Sequence, residues 1–157
     1  MNSGHQVAIV TGAARGIGLA TSQIFHHHGF RVALVDKDES EVSKASATIE
    51  NSISIACDIS SPSDVENMIN TVLKTFGRID ALVNNAGVAE FKALEETDYA
   101  CWRKIMSTNL DGVFLCTQAA IPALKESRGA IVNIGSISAV RASTLRVAYG
   151  TSKAAVV

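Results

Sequence analysis

The sequence predicts a doubly wound parallel α/β fold in three layers, and three observations carry that reading. Five short apolar runs, at residues 7–11, 31–35, 53–57, 80–83 and 129–134, are continuous rather than alternating. Strands of that kind are buried on both faces, as they are in parallel sheets covered by helices on each side. Helix-patterned segments separate the runs, and the order strand, helix, strand, helix is that of a parallel sheet. Finally, the first run stops at a glycine-rich turn, Gly12-Ala-Ala-Arg15-Gly16-Ile17-Gly18, from which a helical segment starts. Glycines there let the backbone turn sharply and let a bulky anion approach the first amides of the helix, a place where a pyrophosphate fits.

Taken in order, residues 16–28 carry Ile17, Ala20, Ile24 and Phe25 at helical spacing and end at Gly29. The His26-His27-His28 run reads as a solvated helix end, because consecutive helical residues point in different directions and cannot share one metal ion. The second strand, Arg31–Val35, ends at Asp36, 18 residues past Gly18. An acidic residue there is placed to accept hydrogen bonds from an adenosine ribose and to repel a 2′-phosphate; it would also serve as a cap for the next helix. Arg15 and Lys37 lie where such a phosphate would be met.

A weakly amphipathic helix near 38–50 leads to the third strand, Ile53–Cys57, which is closed by Asp58. Ser61-Pro62-Ser63-Asp64 supplies an N-cap, a proline at the first helical position and an acidic first turn, and Gly77 ends that helix. The fourth strand, Asp80–Val83, stops at Asn84-Asn85-Ala86-Gly87. Two amides followed by two small residues suit a strand end pressed against a ligand, and suit an ordinary turn equally.

Residues 88–97 read as a loop and 98–126 as one long helix, with Trp102, Ile105, Met106, Leu110, Val113, Phe114, Thr117, Ile121 and Leu124 inward. Asn109 falls on that apolar stripe, where an amide must be fully hydrogen-bonded. It is either a structural tie between helix and sheet or a catalytic group. The fifth strand delivers Gly135-Ser136, a loop runs to about 146, and a last helix begins near Ala148.

Tyr149 and Lys153 are four apart at the start of that helix, so they share one face about 6 Å apart at Cβ. Such a pair is either an exposed helix face or a catalytic device, since an adjacent ammonium favours a phenolate and makes a tyrosine usable as an acid or base near neutral pH. Ser136, at the end of the neighbouring strand, is then placed to donate to a substrate oxygen.

The totals narrow the class. At 157 residues the length fits a single domain with one core, and 14 Lys+Arg against 15 Asp+Glu give no basic field for nucleic acid or anionic membrane. No stretch approaches the roughly 20 apolar residues of a membrane span. Cys57, Cys101 and Cys116 are odd in number and lie in apolar or helical settings, which reads as small core residues in a reducing cytoplasmic protein.

In their order and spacing, Thr11-Gly-Ala-Ala-Arg-Gly-Ile-Gly18, Asn84-Asn-Ala-Gly87, Asn109, Ser136 and Tyr149-Gly-Thr-Ser-Lys153 closely resemble the short-chain dehydrogenase/reductase family, over essentially the whole chain. The resemblance implies a Rossmann-like NAD(P)-binding domain and an oxidoreductase that moves a hydride between nicotinamide and an alcohol or carbonyl. It implies Tyr149 as acid/base, Ser136 as holder of the substrate oxygen, Lys153 as partner of Tyr149 and of the nicotinamide ribose, and Asn109 as holder of a relay water. Cofactor contacts fall on Gly12, Arg15, Gly16, Ile17, Gly18, Asp36, Asp58 with Ile59, and Asn85, Ala86 and Gly87, besides Tyr149 and Lys153. Asp36 favours NAD over NADP. The family runs roughly 250 residues, so the chain reads as C-terminally shortened, with later strands and part of the substrate pocket missing. The resemblance also implies a homodimer or homotetramer in which the 98–126 helix packs between subunits. Two rival readings are a dinucleotide-binding or oligomerising module without turnover, and a Rossmann-like methyltransferase; the latter leaves Ser136, Tyr149 and Lys153 without a role.

Overall fold

A computed structural model describes residues 5–157. Five strands, β1 (Val7–Thr11), β2 (Arg31–Asp36), β3 (Ser52–Ala56), β4 (Ala81–Asn84) and β5 (Ala130–Asn133), form one sheet in the order β3-β2-β1-β4-β5. Every pairing is parallel. The helices are α1 (Gly16–His27), α2 (Glu39–Ser46), α3 (Pro62–Phe76), α4 (Tyr99–Met106), α5 (Gly112–Ser127) and α6 (Val147–Ala154). The strand order reverses beside β1, and the crevice at such a switch point is where parallel sheets bind ligands.

The continuous apolar runs do become buried strands at the centre of the sheet. β1 is buried throughout, and its residues alternate between two layers. Val7 and Ile9 join the core under α3 and α5, while Val10 joins Val32, Leu34 and Val83 under α1 and α2. Each such fully buried aliphatic side chain contributes roughly 1.5–3 kcal/mol. The cap residues act as expected at α3: the Ser61 hydroxyl accepts from the Asp64 N–H, and Gly77 ends the helix in the left-handed region at φ +79°. The strand and helix bounds differ from the expected ones by a residue or two, with α2 the exception. It stops at Ser46, although Ile49 beyond it is still buried.

Three expectations are corrected. The 98–126 segment is not one uniform α-helix: α4 and α5 are joined by a wide π-helical turn, Ser107–Asp111. Beyond that turn the buried side is Gly112, Cys116, Ala120 and Leu124, whereas Phe114 (60% exposed) and Ile121 (37% exposed) face outward. The cause is close approach. A Cβ on Gly112 would lie 2.6 Å from the Ile59 side chain, so the small residues go inward and the large ones cannot. In α1, likewise, Ile17 and Ile24 are exposed and the side against the sheet is Gly18 and Ser22 with Leu19 and Phe25. β5 is exposed along its whole length rather than covered on both faces. Among the described residues it stands last in the strand order, and α6 packs on α4, on the π turn and on the short 3₁₀ turn Ile137–Ala139 instead.

The candidate nucleotide and catalytic site

The end of β1 and the end of β4 are locked together by Thr11. Its hydroxyl accepts from the Asn85 and Ala86 N–H groups, both at 3.0 Å, and donates to the Val83 carbonyl at 3.3 Å. The Asn85 side-chain amide returns across the gap, donating to the Thr11 carbonyl at 2.8 Å and the Gly12 carbonyl at 3.1 Å. No room is left at that seam. Gly12 has φ +64°, and a Cβ on it would lie 2.8 Å from Ala86 Cα; a Cβ on Gly18 would collide with the Gly12 carbonyl oxygen. Gly16, at φ +59°, has open space around it and is needed for its conformation alone.

The helix that starts here has no cap. Asp38, Ser61 and Asp98 cap α2, α3 and α4 with side-chain acceptors, whereas Arg15 offers none to α1. The first amides of α1 therefore have no side-chain partner, the arrangement that accepts an anion at a helix N-terminus.

Asp36 does not cap α2; Asp38 does. The Asp36 carboxylate instead accepts from the Ala14 N–H at 3.2 Å and from the Asp38 N–H at 3.2 Å, which fixes it beside the glycine turn. Asp58 accepts from the Ser60 hydroxyl at 2.6 Å and the Ser60 N–H at 2.9 Å. Those two donors hold its carboxyl below the usual carboxylate range. Both acids border one cavity of about 340 Å³, together with Gly12, Arg15, Ile17, Lys37, Ile59, Asn85, Ala86 and Gly87. Gly16 and Gly18, both expected as cofactor contacts, do not line it.

The inner end of the cavity leads to the candidate catalytic groups. A Cβ on Gly87 would lie 3.4 Å from Asn109 Oδ1 and 3.7 Å from Lys153 Nζ. Asn109 is fully buried; it accepts from the Val88 N–H at 2.8 Å and donates to the Val88 carbonyl at 2.9 Å and to Ser152 Oγ at 3.0 Å. Lys153, 5% exposed, donates to the Ile134 carbonyl at 2.7 Å, and burial pushes its ammonium below its ordinary pKa. Ser136 Oγ accepts from the Ser138 N–H at 3.1 Å, and the turn that follows it packs against α6. The Ser138 carbonyl lies 3.1 Å from where a Gly150 Cβ would stand, so the Ile137–Ala139 turn and the Tyr149 segment are in direct apposition. Among the described residues the Tyr149 hydroxyl has no hydrogen-bond partner, and the Ser136 hydroxyl acts only as an acceptor.

Sequence reasoning gave no role to Thr11, Val88, Thr108 or Ser152. Val88 and Thr108 border the cavity, and Ser152 holds Asn109. A polar residue closing a buried strand, as Thr11 does, was the available signal; Ser152 becomes visible only once α6 is seen against the π turn. The three cysteines are all free and buried.

A five-stranded parallel sheet with a glycine turn at its switch point and an acid closing β2 defines a doubly wound α/β protein. The family model for short chain dehydrogenase matches residues 6–157. The chain belongs to that family. It is 35% identical to meso-2,3-butanediol dehydrogenase of Serratia marcescens, with 100% of this chain and 63% of that protein covered. It is also 38% identical to D-threitol dehydrogenase of Mycolicibacterium smegmatis, with 97% and 60% covered. The crystal structure of 3-ketoacyl-(acyl-carrier-protein) reductase from Brucella melitensis complexed with NADH is similar at TM-score 0.93 and 30% identity, over 96% of this chain and 65% of that one. A short chain dehydrogenase/reductase from Burkholderia phymatum in complex with NAD gives TM-score 0.93 at 27% identity, over 99% and 58%. The chain spans 54–67% of the length of the curated relatives it matches.

Proposed function

We propose that this chain carries the nucleotide-binding and catalytic groups of an NAD-dependent oxidoreductase acting on a small alcohol or carbonyl compound. The observation that carries the reading is continuity: one cavity runs from Asp36 past the glycine turn to Gly87, against which the Asn109 amide and the Lys153 ammonium lie. The lining of the cavity suits the adenosine and pyrophosphate part of a dinucleotide. Uncapped α1 amides are free to receive an anion, Gly12 and Gly18 leave no side chain at the turn, and the Asp36 carboxylate would meet ribose hydroxyls and repel a 2′-phosphate.

When bound, the nicotinamide supplies the two-electron chemistry, a hydride exchanged with the substrate carbon. The chain's own groups handle the proton. In reduction the Tyr149 hydroxyl gives its proton to the substrate oxygen, while Ser136 donates a hydrogen bond to the same oxygen and holds it in line. Lys153 keeps a positive charge one helical turn from Tyr149 and reaches the nicotinamide ribose with the hydrogens that Ile134 leaves free. Both Asn109 amide hydrogens are engaged by Val88 and Ser152, so a relay water at Asn109 is held on an oxygen. Phe114 and Ile121, outward on α5, support subunit association as a homodimer or homotetramer. Three free buried thiols support a reducing, cytoplasmic setting.

Similar proteins are named for meso-2,3-butanediol and D-threitol, so diacetyl, acetoin and a four-carbon ketose head the substrate panel. The deciding experiment follows NADH oxidation by the full chain with that panel, in the native protein and in Tyr149→Phe. Loss of about 10²-fold or more in kcat with unchanged NADH binding is the expected outcome. Undiminished turnover in Tyr149→Phe would overturn the assignment.

A further inference from the structure

The helix that carries Tyr149 and Lys153 begins from a backbone that needs support. Leu145, two residues ahead of α6, has φ +60°, a left-handed conformation that a branched side chain adopts only under constraint. Two contacts from the 88–97 loop meet it there. The Lys92 N–H donates to the Leu145 carbonyl at 3.1 Å, and the Arg146 guanidinium lies 4.7 Å over the Phe91 ring. Arg146 then opens the helix, its carbonyl accepting from the Gly150 N–H at 2.7 Å. Among the described residues Arg146 has no acidic partner within ion-pair distance, so the aromatic face is what holds its guanidinium.

The loop is itself anchored to α4. Glu90 accepts from Lys104 at 2.8 Å, pairs with Lys92 at 3.3 Å and takes the Cys101 thiol at 3.5 Å. These donors hold its carboxyl down at about 2, so the anchor stays charged at any physiological pH. Cys101 and Ile105 of α4 in turn pack against Ala148. Glu90, Phe91 and Lys92 thus span from α4 to the first turn of α6. Phe91 is more than half exposed, which a side chain serving only the core would not be.

We infer that the Phe91–Arg146 stack is a positioning device that sets where the first turn of α6, and with it Tyr149, stands relative to Ser136. The inference rests on the reading of Tyr149 as acid/base. Misplacing an acid by about 1 Å costs on the order of 10²-fold in rate. The nucleotide cavity is bordered by other residues and is left intact.

The test uses the full chain with NADH and diacetyl, and hydrogen exchange of the 147–154 amides alongside. Phe91→Leu removes the ring and touches no charge; Phe91→Tyr keeps the ring. Expected in Phe91→Leu are a kcat lower by about tenfold or more, an NADH KM within about twofold, and faster exchange in α6. Phe91→Tyr restores all three. Arg146→Ala gives the same loss, and the double variant loses no more than either single one. Unchanged kcat and exchange in Phe91→Leu, losses that Phe91→Tyr fails to restore, or additive losses overturn the inference. Absent turnover in the native chain, or an active Tyr149→Phe, instead overturns the functional reading, and the exchange comparison then decides by itself whether the stack holds α6.

Discussion

Asn109 holds Val88 by both of its main-chain polar groups: the Val88 N–H donates to Asn109 Oδ1 at 2.8 Å, and Asn109 Nδ2 donates back to the Val88 carbonyl at 2.9 Å. The second amide hydrogen goes to Ser152 Oγ at 3.0 Å. One side chain on the π turn thereby ties the strand-end loop after β4 to α6. It also brings Gly87, at the inner end of the cavity, next to Lys153.

Replacing that amide by a side chain of similar size tests the tie. Asn109→Leu leaves the half-buried Val88 N–H and carbonyl without their side-chain partner, each at about 1–2 kcal/mol, the lower part of the range for an unsatisfied group. A total loss of about 2–4 kcal/mol in urea unfolding is expected, together with loss of turnover. A variant as stable as the native chain would show that Val88 has other partners to turn to.

The two glycines of the turn are predicted to behave differently. Gly16→Ala meets no atom, so it costs only the left-handed backbone, about 1–2 kcal/mol. In Gly18→Ala the new methyl group meets the Gly12 carbonyl, and α1 must withdraw from the strand end. Overpacking of that kind costs typically about 1–3 kcal/mol, and here it also opens the seam on which the nucleotide site is built. Thermal unfolding and NADH titration should find the first variant weakened but binding, and the second without measurable NADH affinity.

Asp36→Asn keeps the shape and removes the charge. Hydrogen bonds to a charged group contribute about 1.5–3 kcal/mol, so the preference for NADH over NADPH should fall by about tenfold or more. Arg15 and Lys37 border the same cavity and would then face the 2′-phosphate without a competing carboxylate. Binding titrations with both nucleotides measure the ratio. A ratio that does not move would locate cofactor choice away from the end of β2.

How much of this was legible in the residues depended on how local the cause was. The central strands, the Ser61–Pro62 start and Gly77 end of α3, and most of the residues bordering the cavity, though not Val88 or Thr108, follow from periodicity, cap chemistry and motif spacing. Helix faces did not follow as well. Periodicity assigns the largest apolar side chains to the core, which put Phe114 and Ile121 inward. What docks α1 and α5 on the sheet is close backbone approach, and that selects Gly18 and Ser22, or Gly112, Cys116 and Ala120. The wide turn at Ser107–Asp111 has no composition of its own. Its function, aiming the Asn109 amide at Val88, is visible only when the partner from β4's end is in place.

Lys153 allows a prediction with a definite sign. Burial lowers its folded pKa below the ordinary 10.5. Below the folded pKa both states carry the proton, and the cost of the buried ammonium is constant. Between that value and 10.5 the unfolded chain still holds a proton that the folded chain has released, so stability contributed by this group rises with pH, by at most about 1.4 kcal/mol per unit. Lys153→Met does not titrate; it also leaves the Ile134 carbonyl without its donor, an offset that does not change with pH. Urea unfolding at about pH 7 and about pH 10 should therefore show the native chain gaining on the variant as pH rises. A difference that stays constant, or shrinks in the opposite sense, would mean that the ammonium is hydrated in the folded protein. It would then lack the buried setting beside Gly87 on which its proposed part in catalysis depends.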